Sequence, residues 1–439
     1  MPGPRGRGVM TLRRIRRDPL RFFASLPRRY GPVARLRLGP VRLFAVNDPA
    51  LVTRVLVGDA DGYKKGMALE RARAILGDGL LTSEGDLHRR QLRLIGPALS
   101  PRRLTHHEPA MLREVARVDA RWRDGEPIDI GAEMNRLTLA TVVATLLGGS
   151  LTTDDAERIH VALTGVVRHF DWLVTHPLGV HRLRIPTPRA RRLLASRDAL
   201  RDVVDRVISD RAPRIGGDGD LLATLIAARD ESGHMDAALL RDEVLTLMLA
   251  GHETTANWLT FTWIALAGNP DVGARMRAEL DRELGGRTVT LADRDLLPYT
   301  VAVLEEALRL YPPAWGIGRR ALAPHEMDGV FLPRGALVSA CPYVMHREPA
   351  LWDAPERFDP DRWLDGRTAG LPRGAFFPFS DGPRKCIGEH FARAEALLAL
   401  ATLARRWELR RETDSPVQLD AKVTLRPGGP VVMRPRRRT

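Results

Sequence analysis

Phe379-Ser380-Asp381-Gly382-Pro383-Arg384-Lys385-Cys386-Ile387-Gly388 lies near the C-terminus and runs straight into a helical pattern, Glu389 to Ala396. It holds one of only two cysteines in 439 residues. A thiol in a basic, glycine-rich turn at a helix start has three uses: nucleophile, metal ligand or inert buried group. A nucleophile needs a base that is itself held by a third group. His390, four residues on, could face the thiol from the helix, but the surroundings suit a ligand better. Gly382 lets the chain turn sharply, and Gly388 lets a flat partner approach the backbone. The helix N-terminus offers N–H groups to an anionic sulfur. One cysteine cannot supply a four-ligand zinc site.

One thiolate can, however, be the axial ligand of haem iron, where its electron donation favours O–O cleavage. The ten residues fill every fixed position of the haem-binding loop of the cytochrome P450 monooxygenases, and the chain resembles that family. The resemblance makes Cys386 the iron ligand and places Phe379, Arg384 and Gly388 around a haem b. It implies a mainly α fold with a small β-rich subdomain and a long central helix over the haem.

The family's other parts are matched upstream, in order. Glu306-Ala307-Leu308-Arg309 puts an acid and a base on one helix face by i,i+3 spacing. Such a pair is ordinarily a solvated surface pair. The resemblance instead locks it to an arginine of the coil before the haem loop, and Pro355-Glu356-Arg357-Phe358 offers Arg357. A bidentate Arg–Glu–Arg set would be structural, pinning that coil. Ala250-Gly251-His252-Glu253-Thr254-Thr255 resembles the oxygen-activation segment. Gly251 would leave room for a ligand, and Thr254 can bond the carbonyl four residues back. An acid and an alcohol in an apolar helix are costly unless used, and Glu253 and Thr254 could relay the protons the reaction needs. His252 reads as structural. The resemblance gives the haem propionates Arg384, Arg319 and His88 as partners. The arginine often found four residues after the position of His88 is replaced by Leu92, and Arg93 follows one place late. Arg89, Arg90 and Arg93 otherwise read as a solvated helix face, and Lys385 and Arg393 as a docking site for an acidic redox partner.

The implied reaction inserts one oxygen atom of O2 into a hydrophobic small molecule, at a C–H or C=C bond. Candidate pocket residues are Met67, Leu247, Met248, Trp315 and Ile317, all apolar, although ordinary core positions look the same. The texture of "RLRLGPVRLFAV", "LHRRQ" and "FDPDRWL" is similar to actinobacterial sesquiterpene oxygenases of the pentalenene type, so a terpenoid of secondary metabolism is the expected substrate. No flavin or nicotinamide module is evident, and electrons are expected from a separate ferredoxin and ferredoxin reductase. A peroxide-driven enzyme of the same fold and a non-catalytic haem-binding protein are the alternatives; the Glu253-Thr254 pair argues against both.

Bulk features agree. Hydrophobic residues make up 44% of the chain, enough for a large core. The start, "MPGPRGRGVMTLRRIRRDPL", is basic and proline-broken, with no apolar run for a signal peptide or membrane anchor. The expectation is a cytoplasmic monomer. Cys341 reads as a buried small hydrophobe. The net charge of +14 raises the question of nucleic acid, but the arginines are spread among acids, and the final "RPRRRT" reads as a solvated tail.

No linker or repeat divides the chain, so residues 1–439 are expected to form one domain, with β-rich parts at about residues 30–50 and 315–345. "YGPVARLRLGPVRLFAVNDP" alternates as a hairpin does. Helical patterns run from Asp48 to Arg211. Arg211–Asp220 reads as a loop and Thr175–Arg192 as a helix-poor connection. A helix from Asp236, its N-cap, to Ala267 would be about 45 Å long and buried nearly all round. The coil "HREPALWDAPERFDPDRWL" is long enough to suggest a function.

Overall fold

The computed structural model describes residues 3–4, 8–39, 41–148, 153–175, 179–211, 221–231, 233–413 and 415–438. Residues 212–220 of the anticipated loop and 176–178 of the anticipated connection lie outside this set. Eight helices bear on the site: α1 (Gly85–Ile95), α2 (Pro101–Arg121), α3 (Ile130–Leu146), α4 (Thr153–Thr175), α5 (Pro188–Arg211), α6 (Ala237–Gly268), α7 (Pro298–Leu310) and α8 (Glu389–Arg406).

Helix α6 organises the rest. Asp236 caps it by accepting from Leu239 N, and Asn269-Pro270 ends it. Its 32 residues span about 48 Å. Trp258, Phe261 and Trp263 are buried on different sides of it, as expected of a helix apolar all round. It packs against α3, α5, α7 and α8, while α2 packs on α3 and α8. The apolar residues of α2, α3, α6 and α8 share one large core. No helix among the described residues is long and apolar enough to cross a membrane.

The β-rich part is a five-stranded sheet, from β1 (Val33–Leu38), β2 (Val41–Val46), β3 (Tyr63–Lys65), β4 (Ile317–Ala321) and β5 (Leu337–Ala340), in the order β1-β2-β5-β4-β3. β1 and β2 form the anticipated hairpin, Val33 opposite Val46 and Leu38 opposite Val41. β5 joins β2 in parallel and β4 in antiparallel fashion. β3, unanticipated from the pattern, pairs with β4 and sets Lys65 opposite Arg319.

Two further strand pairs complete the C-terminus. The first is the hairpin of β6 (Leu419–Ala421) and β7 (Leu425–Pro427). The second corrects an expectation: the final arginines up to Arg437 are exposed, but they belong to a strand and not to a tail. Val432–Arg437 forms a strand against Trp407–Arg411, and Arg438 pairs with Asp281 at 2.6 Å. The strand alternates in burial, Met433 buried and Val432 exposed, so Arg434 and Arg436 occupy the outward register.

Candidate active site

The loop before α8 is closed by Cys386 N donating to Phe379 O at 2.9 Å and Lys385 N to Gly382 O at 3.0 Å. Gly382 has φ +72°, and a Cβ there would stand 2.1 Å from Leu56 O, so no other residue fits. At Gly388 a Cβ would meet one atom within 4 Å, Cys386 Sγ at 3.9 Å. The glycine therefore keeps the space beside the sulfur clear. Phe379 holds the loop from inside, edge-on to Trp258 of α6 at 6.2 Å between centroids. The Arg393 guanidinium lies 5.0 Å over the other aromatic partner's ring, that of Phe379.

Cys386 is exposed, although protein surrounds it closely enough that burial pushes its thiol up to about 11, against the opposing Gly388 N–H. The helix N-terminus, which the sequence suggested would keep the sulfur anionic, therefore does not do so by itself. A coordinated metal ion deprotonates a thiol outright. Cys341 is buried as expected, its Sγ donating to Trp315 O at 2.9 Å, and burial pushes it up to about 12.

Helix α6 is buried along its middle except for one stripe. Leu247, Ala250 and Thr254, spaced i, i+3, i+7, are partly exposed, with Gly251 and Glu253 beside them. Thr254 Oγ1 donates to Ala250 O at 2.7 Å, the bond expected four residues back. Gly251 has another reason than passage of a ligand: a Cβ there would come within 3.0 Å of Val142 Cγ2, so the glycine lets α3 approach. Glu253 Oε1 accepts from Thr424 Oγ1 at 2.8 Å and Arg426 Nη1 at 3.0 Å. His252 is buried on the opposite side, held down to about 4 by burial and then by His160, a structural residue as read.

The second feature is a cluster of buried cations. Lys65 and Arg319, each 5% exposed, are directly opposite in the sheet. Like charges in that register repel. Lys65 Nζ donates to Leu80 O at 2.6 Å and Ser83 O at 2.7 Å, and lies 3.3 Å from His88 Nδ1. Arg319 donates to Gly318 O and, at 3.4 Å, to Ser380 Oγ of the Cys386 loop. Burial, opposed by Glu84 and aided by Arg384 and Arg319, moves Lys65 from 10.5 to about 8. Burial and Arg384 move Arg319 to about 10. Burial and Lys65 move His88 to about 4, and its Nε2 has no partner. Glu84 is the acid bonded among them, and Arg384 occupies it at 2.9 Å, while the buried Glu243, pushed up to about 8 by burial, lies near Lys65.

Arg384 thus differs from expectation. Its donors go to Glu84, Ala60 O and Tyr63 O, which leaves Lys65 and Arg319 as the buried cations without a carboxylate bond. Lys65 was missed in the sequence. Its signal was there: it is one of only four lysines, beside the outward Lys64, in a chain that otherwise uses arginine.

The third feature is the anticipated acid–base lock, with one member corrected. Arg309 donates to both oxygens of Glu306 at 2.8 Å. The coil arginine on Glu306 is Arg362, at 3.0 Å and 1% exposed, not Arg357. Arg357 is exposed and contributes its carbonyl, which accepts from Arg309 Nη2 at 3.1 Å. Glu306 also accepts from Asp359 N and Trp363 Nε1. The coil turns back through Pro360–Trp363, which carries Arg362 inward five residues later than the sequence motif suggested.

Of the pocket candidates, Leu247 lies on the α6 stripe, and Met67 and Ile317 are half-buried where β4 meets the helix Met67–Leu76. Met248, at 0% exposure, points into the core instead. Trp315 faces a surface groove of about 1310 Å³, which Trp172 and the Leu419–Lys422 segment also line. The proposed docking residues are largely engaged: Arg393 pairs with Glu305 and Glu389, Lys385 with Glu389, Arg89 with Asp86 and Arg90 with Asp230. Arg93 is exposed.

A lone thiol with clear space beside it, a partly exposed apolar stripe and a cluster of cations fit a flat iron porphyrin with two carboxylates. Among the described residues no group of three or more His, Cys, Asp or Glu gathers as metal donors, so a macrocycle supplying its own nitrogens suits the donor set. These are the features of a haem-thiolate protein. The cytochrome P450 family model matches residues 2–433, and the chain belongs to that family, whose members bind haem iron. Cyclooctatin synthase of Streptomyces melanosporofaciens is 39% identical over 422 residues, 95% of this chain and 91% of that protein. Cyclooctat-9-en-7-ol 5-monooxygenase of the same species is 37% identical, over 90% of this chain and 86% of that protein. Pentalenene oxygenase of Streptomyces avermitilis is 37% identical, over 93% and 91%. The crystal structure of the cytochrome P450DA haem domain superimposes with a TM-score of 0.85 at 28% identity, over 96% of this chain and 92% of that one. The protein is a cytochrome P450 monooxygenase, with the fold expected.

Proposed function

We propose that residues 1–439 act as one catalytic unit that oxidises a terpenoid, taking electrons from a separate ferredoxin and ferredoxin reductase. The observation that carries the substrate class is the α6 stripe: Leu247 and Ala250 offer hydrocarbon contact, and Thr254 already bonds its own helix. Such a surface favours an apolar molecule over one needing charge recognition. Relatives named for pentalenene and cyclooctat-9-en-7-ol support the same class.

Bound at Cys386 as haem b, the cofactor supplies the iron that activates O2 for transfer of one oxygen atom. The chain supplies the rest. Lys65 and Arg319 would hold the propionates, with His88 beside them. Leu247 and Ala250 exclude water. Thr254 Oγ1 and the Glu253 carboxylate hold and pass protons. Exposed Arg93 and half-exposed Lys385 give an acidic ferredoxin positive charge to meet.

The test is reconstitution with a ferredoxin, its reductase and NADPH, offering pentalenene and cyclooctat-9-en-7-ol. The expected results are a substrate-induced shift of the ferric haem spectrum and a product carrying one atom of isotopically labelled O2. A shift with neither terpenoid but with a fatty acid would refute the substrate class. A CO-difference band at the position of a neutral-thiol haem would refute the thiolate assignment.

A further inference from the structure

Arg426, on β7, joins three carboxylates from three parts of the chain. Nη1 donates to Glu253 Oε1 of α6 at 3.0 Å, Nη2 to Asp171 Oδ2 of α4 at 2.6 Å, and Nε to Asp420 Oδ2 of its own hairpin at 3.3 Å. Neighbouring bonds reinforce each arm. Thr424 Oγ1 donates to the same Glu253 oxygen at 2.8 Å, and Val423 N donates to Asp171 Oδ1 at 3.2 Å. The side chains of Arg426, Asp171 and Glu253 are 27%, 14% and 16% exposed, so water screens them less than a surface pair.

We propose that Arg426 is the positioning residue for Glu253, and that through it the placement of this acid depends on where α4 stands. The proposal rests on the reading of Glu253 as a proton donor to the reaction. Its geometry follows from the sharing of one guanidinium. Thr424 and Arg426 both bond Oε1, so the hairpin fixes the carboxylate's rotation and leaves Oε2 to water. Arg426 is in turn held by Asp171. If α4 parts from the hairpin, Arg426 loses its shortest partner and Val423 N loses its acceptor, and both segments that orient Glu253 are released together. Without Arg426 the three carboxylates repel one another, and Lys422, 2.8 Å from Asp420, offsets only that one. The seam also borders the outer groove, since Trp172 follows Asp171 and Asp420–Lys422 line the same space. A ligand that widens this seam thereby disturbs the acid.

The experiment compares holoenzymes of wild type, D171N, R426A, R426K and E253Q. The CO-difference spectrum first verifies the thiolate-ligated haem in each. Two quantities are then read: the rate at which phenylimidazole binds the ferric haem in stopped flow, and the solvent deuterium isotope effect on ferredoxin-driven NADPH oxidation. Asp171→Asn leaves every bond of Glu253 in place, yet it should raise the phenylimidazole association rate by up to about fivefold, the upper range for a part-exposed pair, and change the isotope effect. Arg426→Ala should do both more strongly, and Arg426→Lys should recover much of each. An isotope effect altered by R426A and unaltered by D171N would overturn the link to α4. No change in R426A would overturn the positioning role. An E253Q enzyme with the wild-type isotope effect and an intact CO band would overturn the underlying reading of Glu253, whatever the Arg426 variants do. R426K and D171N keep the test open if R426A fails to fold.

Discussion

Two sets of buried charge flank the cysteine loop, and they are built to opposite rules. Around Glu306 the charges close on themselves: its oxygens accept from Arg309, Arg362, Asp359 N and Trp363 Nε1, and Arg309 also reaches three backbone carbonyls. Around Lys65 they do not close. Lys65, His88, Arg319 and Arg384 gather around one hydrogen-bonded acid, Glu84, with Glu243, pushed up to about 8 by its own burial, near Lys65, and the first three are all driven toward their neutral forms. In the first set every bond to the carboxylate comes from the chain, with Arg362 Nη2 the one guanidinium nitrogen left without a partner, and the set therefore fixes the chain. The second has surplus positive charge in a place where charge is expensive, and an anionic ligand relieves it.

The largest effect is expected from breaking the closed set. Glu306→Ala leaves two buried guanidiniums facing each other, and Arg362→Ala frees the coil that leads to Cys386. Each should cost about 3–5 kcal/mol, the range for removing one partner of a buried ion pair. Urea unfolding of the apoprotein measures this directly, and haem content should fall with it. A loss below 1 kcal/mol would mean the network is dispensable.

Lys65→Met breaks the open set, and there the two readouts should move in opposite directions. Apoprotein stability should rise, because a buried cation without a carboxylate bond is removed. Haem affinity should drop by about tenfold, from the loss of one charge-assisted bond to a propionate. A purely structural lysine would lose both together. Apoprotein melting temperature and haem transfer to apomyoglobin separate the two outcomes.

The pH dependence sharpens the same contrast. Lys65 has a folded-state pKa of about 8, below the ordinary 10.5. Its penalty on the apoprotein is therefore full below about pH 8 and fades as pH rises toward 10.5. A bound propionate raises this pKa again. Haem affinity should then be greatest below about pH 8 and fall as pH rises past it, by up to about tenfold per pH unit, with protons taken up on binding. A flat profile between pH 7 and 9, or a flat profile retained in K65M alone, decides whether Lys65 is the titrating group.

The closed set was the more legible in sequence, and the open set the more informative. Helix α6 could be bounded from Asp236 and Asn269-Pro270 because caps act locally, and the loop around Cys386 because cysteine is rare in this chain and two glycines frame it. Glu306 and Arg309 are one helical turn apart, so their pairing needed no tertiary knowledge. Lys65 was not legible, because its meaning lies in the register of a three-residue strand against Arg319, some 250 residues away in sequence. Arg384 was assigned a propionate by family resemblance, whereas Glu84 reaches it through the fold. Met248 and Trp315 fit an apolar pocket by type, but a residue's type does not say which side of its helix or strand faces the site. The C-terminal arginines of the strand are exposed, but their segment looked like a tail because its strand partner, Trp407–Arg411, is distant in the sequence.

The smallest effect is expected at Arg357, and its size is what makes it useful. The family resemblance put this side chain in the lock, while the structure uses only its backbone carbonyl, which any residue supplies. Arg357→Ala should therefore shift unfolding free energy by no more than about 0.5 kcal/mol, as exposed substitutions do, and leave haem content at the wild-type level. Arg362→Ala, five residues on in the same coil, should lose several times more. Measured side by side in urea, the two arginines test which one faces Glu306. Equal losses would return Arg357 to the lock and show that the coil carries two arginines toward one carboxylate.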